Sequence, residues 1–272
     1  MGVGSRLLAR HVAVPSDHGS WVFLLSPLLI GLFAGGRFKT ATLYLVVAAL
    51  CGFLCRQPIT LVIKALSGRR TRDDLRPAVF WILIYAAIGA LHVTGLVLRG
   101  FGYVLYLVVP ALPVFAWYLY LVTRREERRQ MLLEILAAGA MALSAPAGLW
   151  IGVGEYDSRG WLLWALTWAQ SAASIVYAYL RLEQRAGGEA PGRFRRARAS
   201  LVLASLNVIA AIALGLFDIV PFWLFLPYAV QWVEVVRGVL RPAVGLRPQA
   251  IGTRQAFVSG LFTVLFIVIW NG

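Results

Sequence analysis

The chain reads as nine apolar runs separated by polar punctuation, at about 20–36, 41–65, 78–98, 101–123, 131–152, 161–182, 200–217, 219–240 and 256–271. Each run is about 16 to 25 residues long and nearly free of charge, the length a helix needs to cross a hydrocarbon layer about 30 Å thick. None alternates polar and apolar residues as a barrel wall does, so helices are the predicted spanning elements. The pattern predicts an all-α polytopic membrane bundle of about nine transmembrane helices, forming a single transmembrane domain over residues 1–272. Gly35 and Gly36 cut the first run short, which leaves either a full span or a tilted or re-entrant entry.

Composition agrees with this picture. Hydrophobic residues make up 60% of the chain and charged residues 14%, against about 45–50% and about 25% in soluble domains. The net charge of +14 changes meaning once it is placed along the chain. Of the Lys and Arg residues, 21 fall in or beside alternate connecting segments on one side and four on the other, with Arg56 inside a run. The positive-inside rule then predicts a multi-pass protein of the cell's inner (plasma) membrane, with its N-terminus cytoplasmic and its C-terminus external. The basic charge marks topology, so nucleic acid is not an expected partner.

No cleavable leader is expected, because the polar segment PSDHGS precedes the first run and no small-residue cleavage site follows it. The stretch at about 183–199 reads as a solvated connector whose arginines meet anionic headgroups, making membrane lipids the first expected partners. Cys51 and Cys55 lie one helical turn apart without His or further Cys nearby. They read as small buried apolar residues, and neither a metal nor a cofactor is expected.

Polar groups inside a bilayer are expensive and become the candidate functional residues. On the second run Arg56, Thr60 and Lys64 recur every four residues, a stripe about 12 Å long on one helix face. Gln57 and Pro58 follow Arg56, and the proline predicts a kink that frees a carbonyl near residue 54. Gln170, Ser174, Tyr177 and Arg181 share a face of the sixth run; Gln231, Glu234 and Arg241 share one on the eighth, with Arg237 one turn beyond Glu234. All three stripes lie toward the cytoplasmic ends of their runs, which predicts one cavity open to that side. Arginine's fork of donors in such a cavity suits phosphate or carboxylate. The competing reading is that Lys64, Arg181 and Arg241 reach out to headgroups and that Glu234 sits in a structural ion pair. His92 reads as a hydrogen-bonded core histidine and Asn207 as an interhelical hydrogen bond.

The segment Pro15-Ser16-Asp17-His18-Gly19-Ser20-Trp21 places useful groups just before the first run. Asp17 or Ser20 can cap the helix, and His18 at its N-terminus can bind an anion or move a proton. PSDHGSWVFLLSPLLIGL resembles the N-terminal signature of YwiC-like membrane proteins, in which a Pro, an acidic residue, His-Gly and Trp precede a first span containing Pro and Gly. Arg56-Gln57-Pro58 and Ile251-Gly252-Thr253-Arg254-Gln255 are similar to later motifs of that family. Asp17 stands where the family pattern has Glu, which keeps the carboxylate.

A more distant resemblance is architectural. Nine helices with cytoplasmic loops after the second and sixth resemble the layout of UbiA-type intramembrane prenyltransferases, which hold Mg²⁺ and a prenyl diphosphate through Asp-rich motifs at those two places. Both motifs are missing here, so the resemblance implies direct charge neutralisation by Arg and Lys, or loss of that chemistry.

The expectation is therefore a bundle holding an anionic amphipath, isoprenoid or otherwise lipid-linked. Arg56, Gln57, Thr60, Lys64, Gln170, Ser174, Tyr177, Arg181, Gln231, Arg237 and Arg241 would form its site, with Glu234 or His18 as acid or base if a reaction occurs. The alternative is a non-catalytic subunit or assembly factor with a membrane-protein partner, which would explain the lack of a recognisable catalytic constellation. A transporter is a third reading, although its site should be reachable from both faces.

Overall fold

Inside a bilayer each backbone N–H and C=O must find a partner within its own segment, and the apolar runs meet that demand as helices. The computed structural model describes residues 10–15, 18–68, 72–124, 130–187 and 192–272, and no strand occurs among the described residues. The helices are α1 (Arg10–Ala13), α2 (His18–Ala34), α3 (Thr40–Leu66), α4 (Leu75–Leu98), α5 (Val108–Arg124) and α6 (Met131–Ala142). They continue with α7 (Ser144–Val153), α8 (Arg159–Gly187), α9 (Arg193–Leu216), α10 (Phe225–Leu240) and α11 (Pro248–Asn271). Short 3₁₀ turns, Gly102–Leu107 and Phe222–Leu224, lead into α5 and α10.

Six of the described helical segments are long and apolar enough to cross a membrane: Thr40–Leu66, Leu75–Leu98, Gly102–Arg124, Met131–Val153, Phe194–Leu216 and Pro248–Asn271. The protein is a multi-pass helical membrane protein. Gly19–Ala34 is apolar but shorter, as expected from the glycines that end the first run.

Two local departures from the predicted elements have clear causes. The fifth run breaks at Leu143 into α6 and α7, because Pro146 has no N–H to offer the carbonyl of Ala142. The Ser144 hydroxyl donates to the Met141 carbonyl at 2.8 Å and takes up one acceptor there. The connector at about 183–199 is shorter than expected, since α8 runs to Gly187 and α9 begins at Arg193. Arginine is a good helix former and a helix leaving the membrane has no reason to stop at the apolar boundary.

α2 lies at the centre, packed chiefly on α7 and α11 and more lightly on α6 and α8. Its crossing with α7 is backbone on backbone: a methyl at Gly31 would run into the Ala145 carbonyl, and one at Gly35 into Gly152. Small residues permit this approach where no hydrophobic force drives helices together. Leu28, Ile30, Leu149, Trp150 and Ile151 fill the core around the crossing, each at most 2% exposed. The Ser26 and Thr263 hydroxyls, 2.6 Å apart, tie α2 to α11.

α3 and α4 form a hairpin that packs more extensively on itself than any other pair of elements. Gly95 leaves room for the Tyr44 ring, over which the Arg99 guanidinium lies at 4.4 Å. α1 straps one end of the hairpin: Gln57 donates to the His11 carbonyl at 3.1 Å and the Tyr85 hydroxyl to the Ala13 carbonyl at 3.0 Å.

Candidate functional site

The polar stripes occur where the sequence places them, but they do not line one cavity. Helical periodicity fixes which residues share a face, whereas tertiary packing decides what that face meets. The faces of α8 and α10 meet each other. Gln231 donates to the Ser174 hydroxyl at 2.8 Å and to the Gln170 carbonyl at 3.2 Å, and Gln170 donates to Ser174 at 3.1 Å. The Tyr177 hydroxyl lies 3.1 Å from both the Glu234 carbonyl and its Oε1. Arg181 ends the seam, giving Nη1 to Gln184 Oε1 and to the carbonyls of Gly238 and Arg241, each at 2.8 Å.

Glu234 is the most constrained of these groups. Arg254 of α11 takes both carboxylate oxygens, Nε to Oε1 and Nη2 to Oε2 at 2.5 Å each, while Arg237 stands 3.9 Å from Oε2. The seam is a filled interface: buried polar groups satisfy one another. Gly238 is required there because the Tyr177 ring and hydroxyl occupy the space of a side chain. Asn207 makes an expected type of link, donating from α9 to the Ala169 carbonyl of α8 at 2.9 Å. Expected as a hydrogen-bonded core histidine, His92 is only half-buried and donates locally, from Nδ1 to the Ile88 carbonyl at 2.7 Å.

Arg56 is elsewhere. It lines a 730 Å³ cavity between α3 and the neighbouring helices of the bundle. The walls come from α2, α3, α5, α6 and α7, with Ile175 from α8, and are mostly apolar. Polar groups concentrate at one end: Ser20 in the first turn of α2, Arg56 on α3, Tyr118 on α5 and Glu134 in the first turn of α6. From Arg56 down to Ala49, and from Tyr118 to Ala111, each wall descends about 10 Å at the helical rise. The volume falls within the range of small-molecule sites, about 300–1,000 Å³.

Thr60 donates to the Arg56 carbonyl at 2.8 Å and its hydroxyl is 3.0 Å from that of Tyr118, while the guanidinium lies 5.5 Å from the Phe53 ring. Gln57 points away to α1, and Lys64 lies in the last turn of α3 beyond the cavity lining. His18 opens α2, and its side chain lies outside the described residues, as does Asp17. Glu134, absent from the expected site, faces the cavity and accepts from the Tyr179 hydroxyl at 2.8 Å. Its signal is a carboxylate in the first turn of an otherwise uncharged run.

The family model for YwiC-like protein matches residues 14–149, half of the chain. The chain belongs to the YwiC-like family. The uncharacterized protein YwiC of Bacillus subtilis (strain 168) is 25% identical over 150 residues, which is 55% of this chain and 59% of that protein. The match thus spans less than two thirds of the relative's length. No solved structure matches. The YwiC-like stretch contains every residue lining the cavity except Ile175, whereas the α8–α10 seam and Arg254 lie outside it.

Proposed function

We propose that this YwiC-like protein binds an amphipath carrying an anionic group, isoprenoid or otherwise lipid-linked, with its head at Arg56 and its chain in the apolar body of the cavity. The observation that carries the reading is the cavity's polarity: a guanidinium, a carboxylate and two hydroxyls at the mouth, with Phe23, Leu24, Phe53, Phe115 and Leu133 below. A guanidinium at the edge of an apolar slot gives a fixed charge and paired donors that suit phosphate or carboxylate. Under the positive-inside orientation the mouth opens toward the cytoplasm of the inner membrane. The seam of Gln170, Ser174, Tyr177, Arg181, Gln231 and Glu234 serves as scaffold in this reading, and binding is assigned to the cavity.

The test is titration of the detergent-purified protein with farnesyl diphosphate, read by native mass spectrometry. Gly52 supplies the decisive variant, because a side chain built there meets nothing within 4 Å and projects from a residue lining the cavity. Gly52→Leu is expected to abolish binding while leaving the fold intact. Arg56→Ala is expected to weaken it about tenfold to hundredfold, the worth of one charge-assisted hydrogen-bond pair. Binding that survives both changes would place the ligand elsewhere and overturn the proposal.

A further inference from the structure

The mouth of the cavity carries both signs of charge. Arg56 on α3 and Glu134 on α6 line the same space, and the Tyr179 hydroxyl of α8 fixes Glu134 Oε1 at 2.8 Å. A carboxylate in the first turn of α6 also sits at the positive end of that helix, where it is favoured as an anion. A head that is only anionic would gain from Arg56 and lose to Glu134. A head with phosphate at one point and a primary ammonium at another would gain from both, and the ammonium brings the donors that a carboxylate accepts.

Resting on the cavity reading above, we infer that the site selects a zwitterionic phospho-amine amphipath, a single-chain phosphoethanolamine lipid in chemical class. Arg56 takes the phosphate and Glu134 the ammonium. Tyr179 is a positioning residue that holds Oε1 toward the mouth. The apolar walls contribute most of the affinity, so the headgroup alone is a weak ligand.

Three probes separate the terms: lysophosphatidylethanolamine, lysophosphatidic acid of the same chain length, and water-soluble phosphoethanolamine. The wild-type protein is expected to bind the first at least about tenfold more tightly than the second, and the third not measurably. Glu134→Gln should remove or invert that preference, and Tyr179→Phe should shrink it while leaving lysophosphatidic acid binding unchanged. Arg56→Ala should weaken both lipids. Lysophosphatidic acid binding that stays at or above the wild-type level in Glu134→Gln reports an intact fold, so a damaged variant does not mimic the result.

A wild-type preference for lysophosphatidic acid, with Glu134→Gln strengthening its binding, would overturn the headgroup assignment while leaving the cavity in place. If Gly52→Leu blocks neither lipid, the cavity reading fails and this inference fails with it.

Discussion

Arg254 grips Glu234 through a double hydrogen bond, Nε to Oε1 and Nη2 to Oε2, each 2.5 Å long. The pair joins α11 to α10 where Tyr177 of α8 also reaches the same carboxylate. Three helices thus converge on one acid whose side chain is 10% exposed. Taking away the partner leaves a buried carboxylate, and that costs more than the pair itself is worth.

Arg254→Ala should therefore destabilise the protein by about 2 to 4 kcal/mol, below the full value for a buried pair because the Arg254 side chain is itself 41% exposed. Replacing both partners, as Glu234→Leu with Arg254→Met, should recover most of the loss. Denaturant unfolding in detergent reads the difference; a double variant no more stable than Arg254→Ala would contradict the account.

Gly238→Ala should be destabilising by about 1 to 3 kcal/mol, since the new methyl enters the space of the Tyr177 hydroxyl. The effect should be smaller in a Tyr177→Phe background. Coupling between the two changes in a double-mutant cycle is the expected result, and simple additivity would mean that the close approach is not what requires the glycine.

Outside the membrane, Arg159 holds the Asp157 carboxyl below its usual range through hydrogen bonds from its side chain and its backbone N–H. The folded-state pKa is depressed, so the contribution to stability is complete above the unfolded value of about 3.9 and is lost as pH falls through the folded one. Stability should be flat from pH 7 to 5 and drop only below about pH 4. The Trp150 indole donates to the Asp157 carbonyl at 2.6 Å, so tryptophan emission should follow the loss. Asp157→Asn should erase this acid-dependent part.

At the cavity, ligand binding should be indifferent to chelator and should weaken with ionic strength to the extent that the mouth is wet. Arg56→Lys should restore only part of what Arg56→Ala removes, because a point charge does not reproduce a fork of donors. Chelator-sensitive binding that tolerates Arg56→Ala would point to a metal site and contradict the assignment.

The fold was legible because the membrane demands long uncharged helices, and each apolar run carries helix in the structure. The break at Leu143 escaped notice because Pro146 falls within an apolar run and can start a helix as well as interrupt one. Of the site, Gln170, Ser174, Tyr177 and Arg181 share one face of α8 and Gln231 and Glu234 one face of α10, whereas Arg241 is the exposed residue that ends α10 and joins the seam only through its carbonyl. The mutual pairing of the two faces was not legible, since i and i+4 spacing says nothing of the neighbour. In the sequence Arg254 stands out only as part of the family-like motif Ile251–Gln255, and Glu134 lies inside the fifth run without belonging to any polar stripe. Both acquire meaning only from side chains at least 20 residues away, Glu234 and Tyr179.

The α3–α4 hairpin gives the cavity an order of construction. Its two helices make their closest packing with each other, as the fit of Tyr44 against Gly95 illustrates. Because synthesis proceeds from the N-terminus, that packing is available before residues beyond about 130 exist. The opposite wall, with Leu133, Glu134 and Ser144, arrives only when α6 and α7 dock against α2. A nascent chain halted between the two events would carry the α2, α3 and α5 walls of a pocket that nothing yet closes.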